Sequence, residues 1–266
     1  SSSYRRNEGG GRRQLVAIAG PHARHCRRKR QRQERTRPLD HAAHRPAGPD
    51  RAGLEDAFAS QCDRAMRLVE SVVRSVRIPV GVDVLWSGYQ TALDICKETG
   101  ARFIRVASFV DDVRTRYGVM IGRADEAMRY RRRLGLQRRV AVIADVQVKH
   151  SEMIDKDKPL RQSVREAVEK GADGIIITGT WTGVAPIMGD LRIARRFGKG
   201  LPIIVGSGST PENMGELFTS SDAIIVGTAI MTDRVVDRMK LDRYMDAYRS
   251  LRVRNFRKVR YNREEL

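Results

Sequence analysis

Short apolar runs alternate with amphipathic stretches from about residue 80 onward, and this alternation restricts the fold more than any other property of the chain. The runs begin near residues 80, 103, 140, 174, 202 and 223, at intervals of 23, 37, 34, 28 and 21. Each is rich in β-branched residues and too short for a typical helix, so each reads as a strand. The stretches between them carry apolar residues at three- and four-residue spacing, as in Ala124, Ala127, Met128 and Leu134, or Leu160, Val164, Ala167 and Val168. They stop at Gly100, Gly135, Gly171 and Gly198, a common way to end a helix. An earlier helix presents Phe58, Cys62, Met66, Val69, Val73 and Val76 on one face, and a final one presents Leu241, Tyr244, Met245, Tyr248 and Leu251. Repetition of this kind builds parallel βαβ units.

Six such units suit either an open doubly wound sheet or a barrel whose start is missing. No G-x-G-x-x-G turn of the dinucleotide-binding kind is present. Glycine turns instead follow the last two strands, at Gly206-Ser207-Gly208 and Gly227-Thr228. The loops after strands seven and eight are where barrels of eight parallel strands hold phosphate. Between them, Thr210-Pro211-Glu212-Asn213 reads as a helix start, with a hydroxyl to accept an orphan N–H and a proline that has none to lose. The expected fold is therefore an α/β TIM (β/α)8 barrel in which Val80 opens strand three. Strands one and two then fall in roughly the first 55 residues.

Those residues do not suit the role. Residues 1–50 hold 13 Lys/Arg against 4 Asp/Glu, and residues 1–53 contain four of the five histidines, several prolines and only one strand-like run, Leu15–Ala19. We read residues 1–53 as an Arg-rich atypical segment, disordered or translated out of frame, with strands one and two missing or garbled. Residues 54–251 form the barrel body, and 252–266 a basic tail. The net charge of +19 points toward polyanions in general. Because much of it sits in these terminal segments, a nucleic-acid partner is not expected. No apolar run is long enough to span a bilayer, and Cys26, Cys62 and Cys96 suit neither a zinc site nor a disulfide framework. A cytoplasmic protein without a structural metal is expected; a homo-oligomer is one possibility, and the sequence leaves any cofactor unknown.

Strand alternation assigns faces. Val80, Val82 and Val84 share the helix-facing side, which turns Asp83 inward; Arg105 lies opposite Ile104 and Val106. A strand from Val140 to Val148 would send Val142, Val146 and Val148 outward and Asp145, Gln147 and Lys149 inward, with His150 opening the next loop. Thr178 and Gly179 begin the loop after the sixth strand, and Asn213 lies beside the glycine turn. The candidate catalytic set is Asp145, Lys149, His150, Asp83 and Arg105. Asp145 or His150 would act as general base, and Lys149 or Arg105 would stabilise an enolate or bind an anion, with a Schiff base at Lys149 as a further option. The candidate phosphate cradle is Gly206, Ser207, Gly208, Gly227 and Thr228. An ion-pair network among Asp83, Arg105 and Asp145 with a purely structural role is the competing reading.

The segments Pro79–Leu85, Phe103–Val106, Ala144–His150 (ADVQVKH), Val205–Asn213 (VGSGSTPEN) and Ile225–Thr228 resemble those of the BtpA/SgcQ family. The resemblance spans about residues 55–250. It implies a TIM barrel akin to the ribulose-phosphate-binding barrels; with the glycine turns and inward polar residues, the expected function is to bind a small phosphorylated metabolite at the mouth, with isomerase- or lyase-type chemistry as the enzymatic reading. The family's link to photosystem I biogenesis implies the alternative of a non-catalytic assembly factor for a membrane complex. The family pattern would put asparagine where Asp83 and Ala107 stand.

Overall fold

Seven parallel strands hydrogen-bond to one another in chain order and carry the helices on their outer side. The computed structural model describes residues 16–20 and 51–255, residue 87 excepted. Strand β1 (Val16–Gly20) leads through α1 (Arg51–Ser75) to β2 (Val80–Val84), and α2 (Tyr89–Thr99) leads to β3 (Phe103–Val106). Two short strands, β4 (Val113–Thr115) and β5 (Gly118–Met120), precede α3 (Ala124–Arg133). Then come β6 (Ala141–Asp145), β7 (Ser151–Met153), α4 (Leu160–Glu169), β8 (Gly174–Ile177), α5 (Met188–Phe197) and β9 (Ile203–Val205). The chain closes with α6 (Met214–Leu217), β10 (Ala223–Ile224), a 3₁₀ turn (Thr228–Ile230), the pair β11 (Met231–Thr232) and β12 (Val235–Val236), and α7 (Arg238–Asn255).

The parallel order is β1-β2-β3-β6-β8-β9-β10, the succession of a TIM barrel wall. The strand-like run near residue 15 is a strand, paired from Val16 opposite Val80 to Gly20 opposite Val84. It stands where barrel strand two belongs. Among the described residues no strand pairs with both β1 and β10, so the wall is curled but not closed. The remaining expectations about residues 1–53 and about 256–266 lie outside the described residues.

Side chains sort to two faces as strand geometry requires. Val80, Val82, Ile104, Val142, Ala144, Ile175, Ile177, Ile203 and Val205 pack outward against Ala92, Leu93, Ala127, Val164, Ala167, Leu191 and Ala194 of the helices. Each large aliphatic buried this way contributes about 1.5–3 kcal/mol. On the inner face Phe103, Ile143, Ile176 and Ile204 form a separate apolar layer. Asp83, Arg105 and Asp145 sit two residues further along their strands, toward the C-terminal mouth. The helices stop where the glycines promised: Gly100 takes a left-handed φ of 81° and returns its N–H to the Cys96 carbonyl.

Three details differ from the sequence reading. The strand expected to reach Val148 ends at Asp145, because Gln147 adopts a φ of 45° and breaks the extended run. Its amide then donates to the Lys158 carbonyl at 3.0 Å and reaches Ser163 Oγ at 3.4 Å, so Gln147 does not line the interior. Val148, expected to face the helices, packs instead with Ala107, Val113 and Trp86 at the mouth. Finally, β4, β5 and β7 form an antiparallel sheet over the ends of β3 and β6. Three-residue strands are too short to leave a periodic trace.

Candidate functional site

Arg105 on β3 and Asp145 at the end of β6 form a two-pronged ion pair inside the mouth. The guanidinium donates from Nε to Oδ2 at 2.7 Å and from Nη2 to Oδ1 at 2.8 Å. The fold gives this pair little water: Asp145 is 1% exposed. Burial works against the charge on Arg105, but Asp145, through charge and hydrogen bonds, and Asp83 outweigh it and hold its pKa above the usual range.

Asp83 is the third member and the least satisfied. Its Oδ2 lies 3.9 Å from Arg105 Nη1, and its buried Oδ1 has no hydrogen-bond partner. Burial pushes its pKa from 3.8 up to about 6; Arg105 opposes the rise and Asp145 adds to it. Between these two values the folded chain holds more protons than the unfolded one, so stability falls as pH climbs from about 4 to about 6. The full loss is roughly 3 kcal/mol at 1.36 kcal/mol per pH unit. Asp83→Asn should therefore match the wild type near pH 4 and be more stable by that amount near pH 7. Urea denaturation at both pH values checks this, and an equal difference at the two would refute it.

Beyond Asp145 the chain reverses through two left-handed residues, Gln147 and His150, the latter with φ 61°. Asp111, which sequence reasoning missed, holds this reversal. It is buried and accepts from the Gln147 N–H at 2.8 Å, Ser163 Oγ at 2.7 Å and Lys158 Nζ at 2.7 Å. An acidic residue in a loop, with a lysine far along the chain, gave no local signal. The reversal carries Lys149 back inside, where Nζ donates to the Gly206 carbonyl at 3.3 Å. Burial first, then Arg105, lowers the Lys149 pKa, while Asp145 partly restores it. His150 lies at the rim: Nε2 meets Thr182 Oγ1 at 2.8 Å and the ring meets Trp181 edge-on, with centroids 5.1 Å apart. Burial, Lys149 and Arg116 lower its pKa.

The glycine turn after β9 is braced from several sides. The Gly206 N–H donates to the Ile177 carbonyl at 2.8 Å, which continues the ladder. A Cβ at Gly206 would lie 2.5 Å from Ile176 Cγ2. Ser207 Oγ donates to the Val184 carbonyl at 2.8 Å and accepts from the Gly179 N–H at 3.0 Å, so its side chain pins the neighbouring loop. Gly208 has φ 71°, and a Cβ there would sit 2.0 Å from the Ala185 nitrogen. Asn213 donates to the Gly208 carbonyl at 2.9 Å and accepts from the Thr210 N–H at 2.7 Å. Thr210 Oγ1 accepts from the N–H groups of Glu212 and Asn213, the capping role its position suggested, although α6 itself starts only at Met214. Thr178 Oγ1 accepts from the Lys149 N–H at 3.0 Å. Tyr244 of α7 donates to Ser209 Oγ at 3.0 Å. After β10, Gly227 caps the 3₁₀ turn and Thr228 is its first residue.

A model of the BtpA family matches residues 58–250. The chain belongs to the BtpA family. The photosystem I biogenesis protein BtpA of Synechocystis sp. is 34% identical over 185 residues, covering 68% of this chain and 63% of that protein. An uncharacterized protein of Pyrococcus furiosus is 35% identical over 162 residues, 60% of each chain. This BtpA-family chain thus spans about three fifths of the length of these relatives. Its fold is similar to that of a phosphoribosyl anthranilate isomerase from Thermus thermophilus, with a TM-score of 0.50 at 14% identity over 69% of this chain and 80% of the other. No helix among the described residues is long and apolar enough to cross a membrane.

Proposed function

We propose that the mouth of this barrel binds a small phosphorylated metabolite. The observation that carries this reading is the Lys149 ammonium at the glycine turn after β9, 3.3 Å from the Gly206 carbonyl. The phosphate would be held by backbone N–H groups of Ser207, Gly208, Gly227 and Thr228, with Lys149 supplying charge. Gly206 contributes its missing side chain, since its N–H is spent on Ile177. Such backbone cradles favour anions because the donors are fixed before the ligand arrives.

Isomerase- or lyase-type chemistry on that ligand is the finer proposal. Both Asp145 oxygens are occupied by Arg105. Asp83, whose pKa burial raises to about 6, is therefore the better proton carrier, and Lys149 the better partner for a developing oxyanion. The closed Arg105–Asp145 pair also favours a second reading, in which the barrel binds a ligand or partner without turnover. The name of the Synechocystis relative fits that reading too.

Inorganic phosphate and ribose 5-phosphate should each raise the Tm of the chain and compete with one another. Lys149→Ala should weaken phosphate binding by about tenfold or more, the usual scale for losing one charge-assisted hydrogen bond. No stabilisation by either compound at millimolar concentration would overturn the proposal. Binding without conversion of any sugar phosphate would favour the second reading.

A further inference from the structure

The described residues leave four buried side-chain polar atoms without a hydrogen-bond partner: Asp83 Oδ1, Trp86 Nε1, Ser108 Oγ and Arg131 Nε. Native folds leave few such groups, and each one calls for a reason. Arg131 belongs to the opposite, N-terminal end of the strands, where its other nitrogens bind Asp173, just before β8, and the Gln137 carbonyl, ahead of β6. The other three fall together in the chain's layout. Asp83 is the penultimate residue of β2, and Trp86 lies two residues beyond that strand. Ser108 lies two residues beyond β3, the strand paired beside β2, with Asp83 opposite Arg105. Trp86 and Ala107, the neighbour of Ser108, pack in the same apolar cluster at the mouth. Ser108 is 1% exposed and Asp83 5%, so neither is routinely satisfied by bulk water.

These three atoms sit at the ends of β2 and β3, whereas the glycine turns sit at the ends of β9 and β10, further round the same wall. We propose that the ends of β2 and β3 form a second subsite, which takes hydroxyl or carbonyl oxygens at the non-phosphorylated end of the ligand. This rests on the phosphate reading above and specifies its ligand: a phosphorylated polyol or hydroxy-carbonyl compound rather than an alkyl or aryl phosphate. The indole N–H can only donate, so it requires an acceptor oxygen. Ser108 can donate or accept. The unpaired Asp83 oxygen accepts when the carboxylate is charged. An apolar ligand end would leave all three unpaired, which is how a polar subsite rejects an analogue lacking oxygens.

The test compares ribose 5-phosphate, pentyl phosphate and inorganic phosphate by calorimetric titration against the wild type, Trp86→Phe and Ser108→Ala. Trp86→Phe keeps an aromatic ring in the apolar cluster and removes the N–H. The Tm of each variant without ligand confirms folding, and Ser108→Ala supplies an independent arm should Trp86→Phe fail to fold. Wild type should prefer ribose 5-phosphate to pentyl phosphate by tenfold or more. Each variant should lose about five- to tenfold in affinity for ribose 5-phosphate, with inorganic phosphate unchanged. Equal binding of ribose 5-phosphate and pentyl phosphate by wild type, or unchanged ribose 5-phosphate affinity in both variants, would overturn the subsite while leaving the phosphate cradle standing. Absence of binding by all three compounds would remove both.

Discussion

Asp145→Ala should lower the unfolding free energy by about 3–5 kcal/mol, because it strands the Arg105 guanidinium in a buried site with only Asp83, 3.9 Å away, as a carboxylate partner among the described residues. For a chain with this much folded sequence, that corresponds to a drop in Tm on the order of 10 °C. Arg105→Ala should cost a similar amount, leaving Asp145 buried without the two hydrogen bonds it accepts from the guanidinium. The double replacement Arg105→Met with Asp145→Leu should recover a large part of the loss, since apolar side chains of similar volume often replace a buried pair at little cost. Chemical denaturation of the two single and the double variants completes the cycle. A single-variant loss below about 1 kcal/mol would mean that water reaches the pair and that it resembles a surface salt bridge.

Gly208→Ala should be comparably damaging at the other side of the mouth. A methyl group there meets the Ala185 backbone at 2.0 Å, and the φ of 71° is one that side chains rarely adopt. Backbone strain of about 1–3 kcal/mol adds to an overpacking cost of similar size. The loop carrying Trp181 and the Gly208–Asn213 hydrogen bond should both shift. Denaturation measures the first effect, and phosphate titration of the folded fraction measures the second. Full retention of both stability and phosphate affinity would show that the turn relaxes freely.

The barrel was legible in the sequence because parallel strands buried on both sides read as apolar runs, and the helices between them end in glycine. Asp83, Arg105 and Asp145 were legible as inward residues because the period of two survives along β2, β3 and β6. Gln147 was misread because the same period was carried past the point where the chain reverses, and a left-handed residue other than glycine leaves no mark. Lys149 reached the interior all the same, by the reversal rather than by alternation. Asp111 was invisible because its partners lie 36 to 52 residues away. The roles of Ser207 and Asn213 were coarser in the sequence than in the fold. Their side chains brace loops, and any contact of Ser207 with an anion falls to its backbone.

The two flanks of the parallel sheet are unlike. β10 continues the ladder over two residues only, while β1 runs for five, Val-Ala-Ile-Ala-Gly, with no proline or charge in it. Among the described residues each has a single neighbouring strand. A five-residue strand offers a longer ladder for pairing than a two-residue one. The longer flank is also the one that touches the mouth: Ala19 pairs opposite Asp83 and Gly20 opposite Val84, so a proline in the C-terminal half of β1 would disturb the strand that carries Asp83.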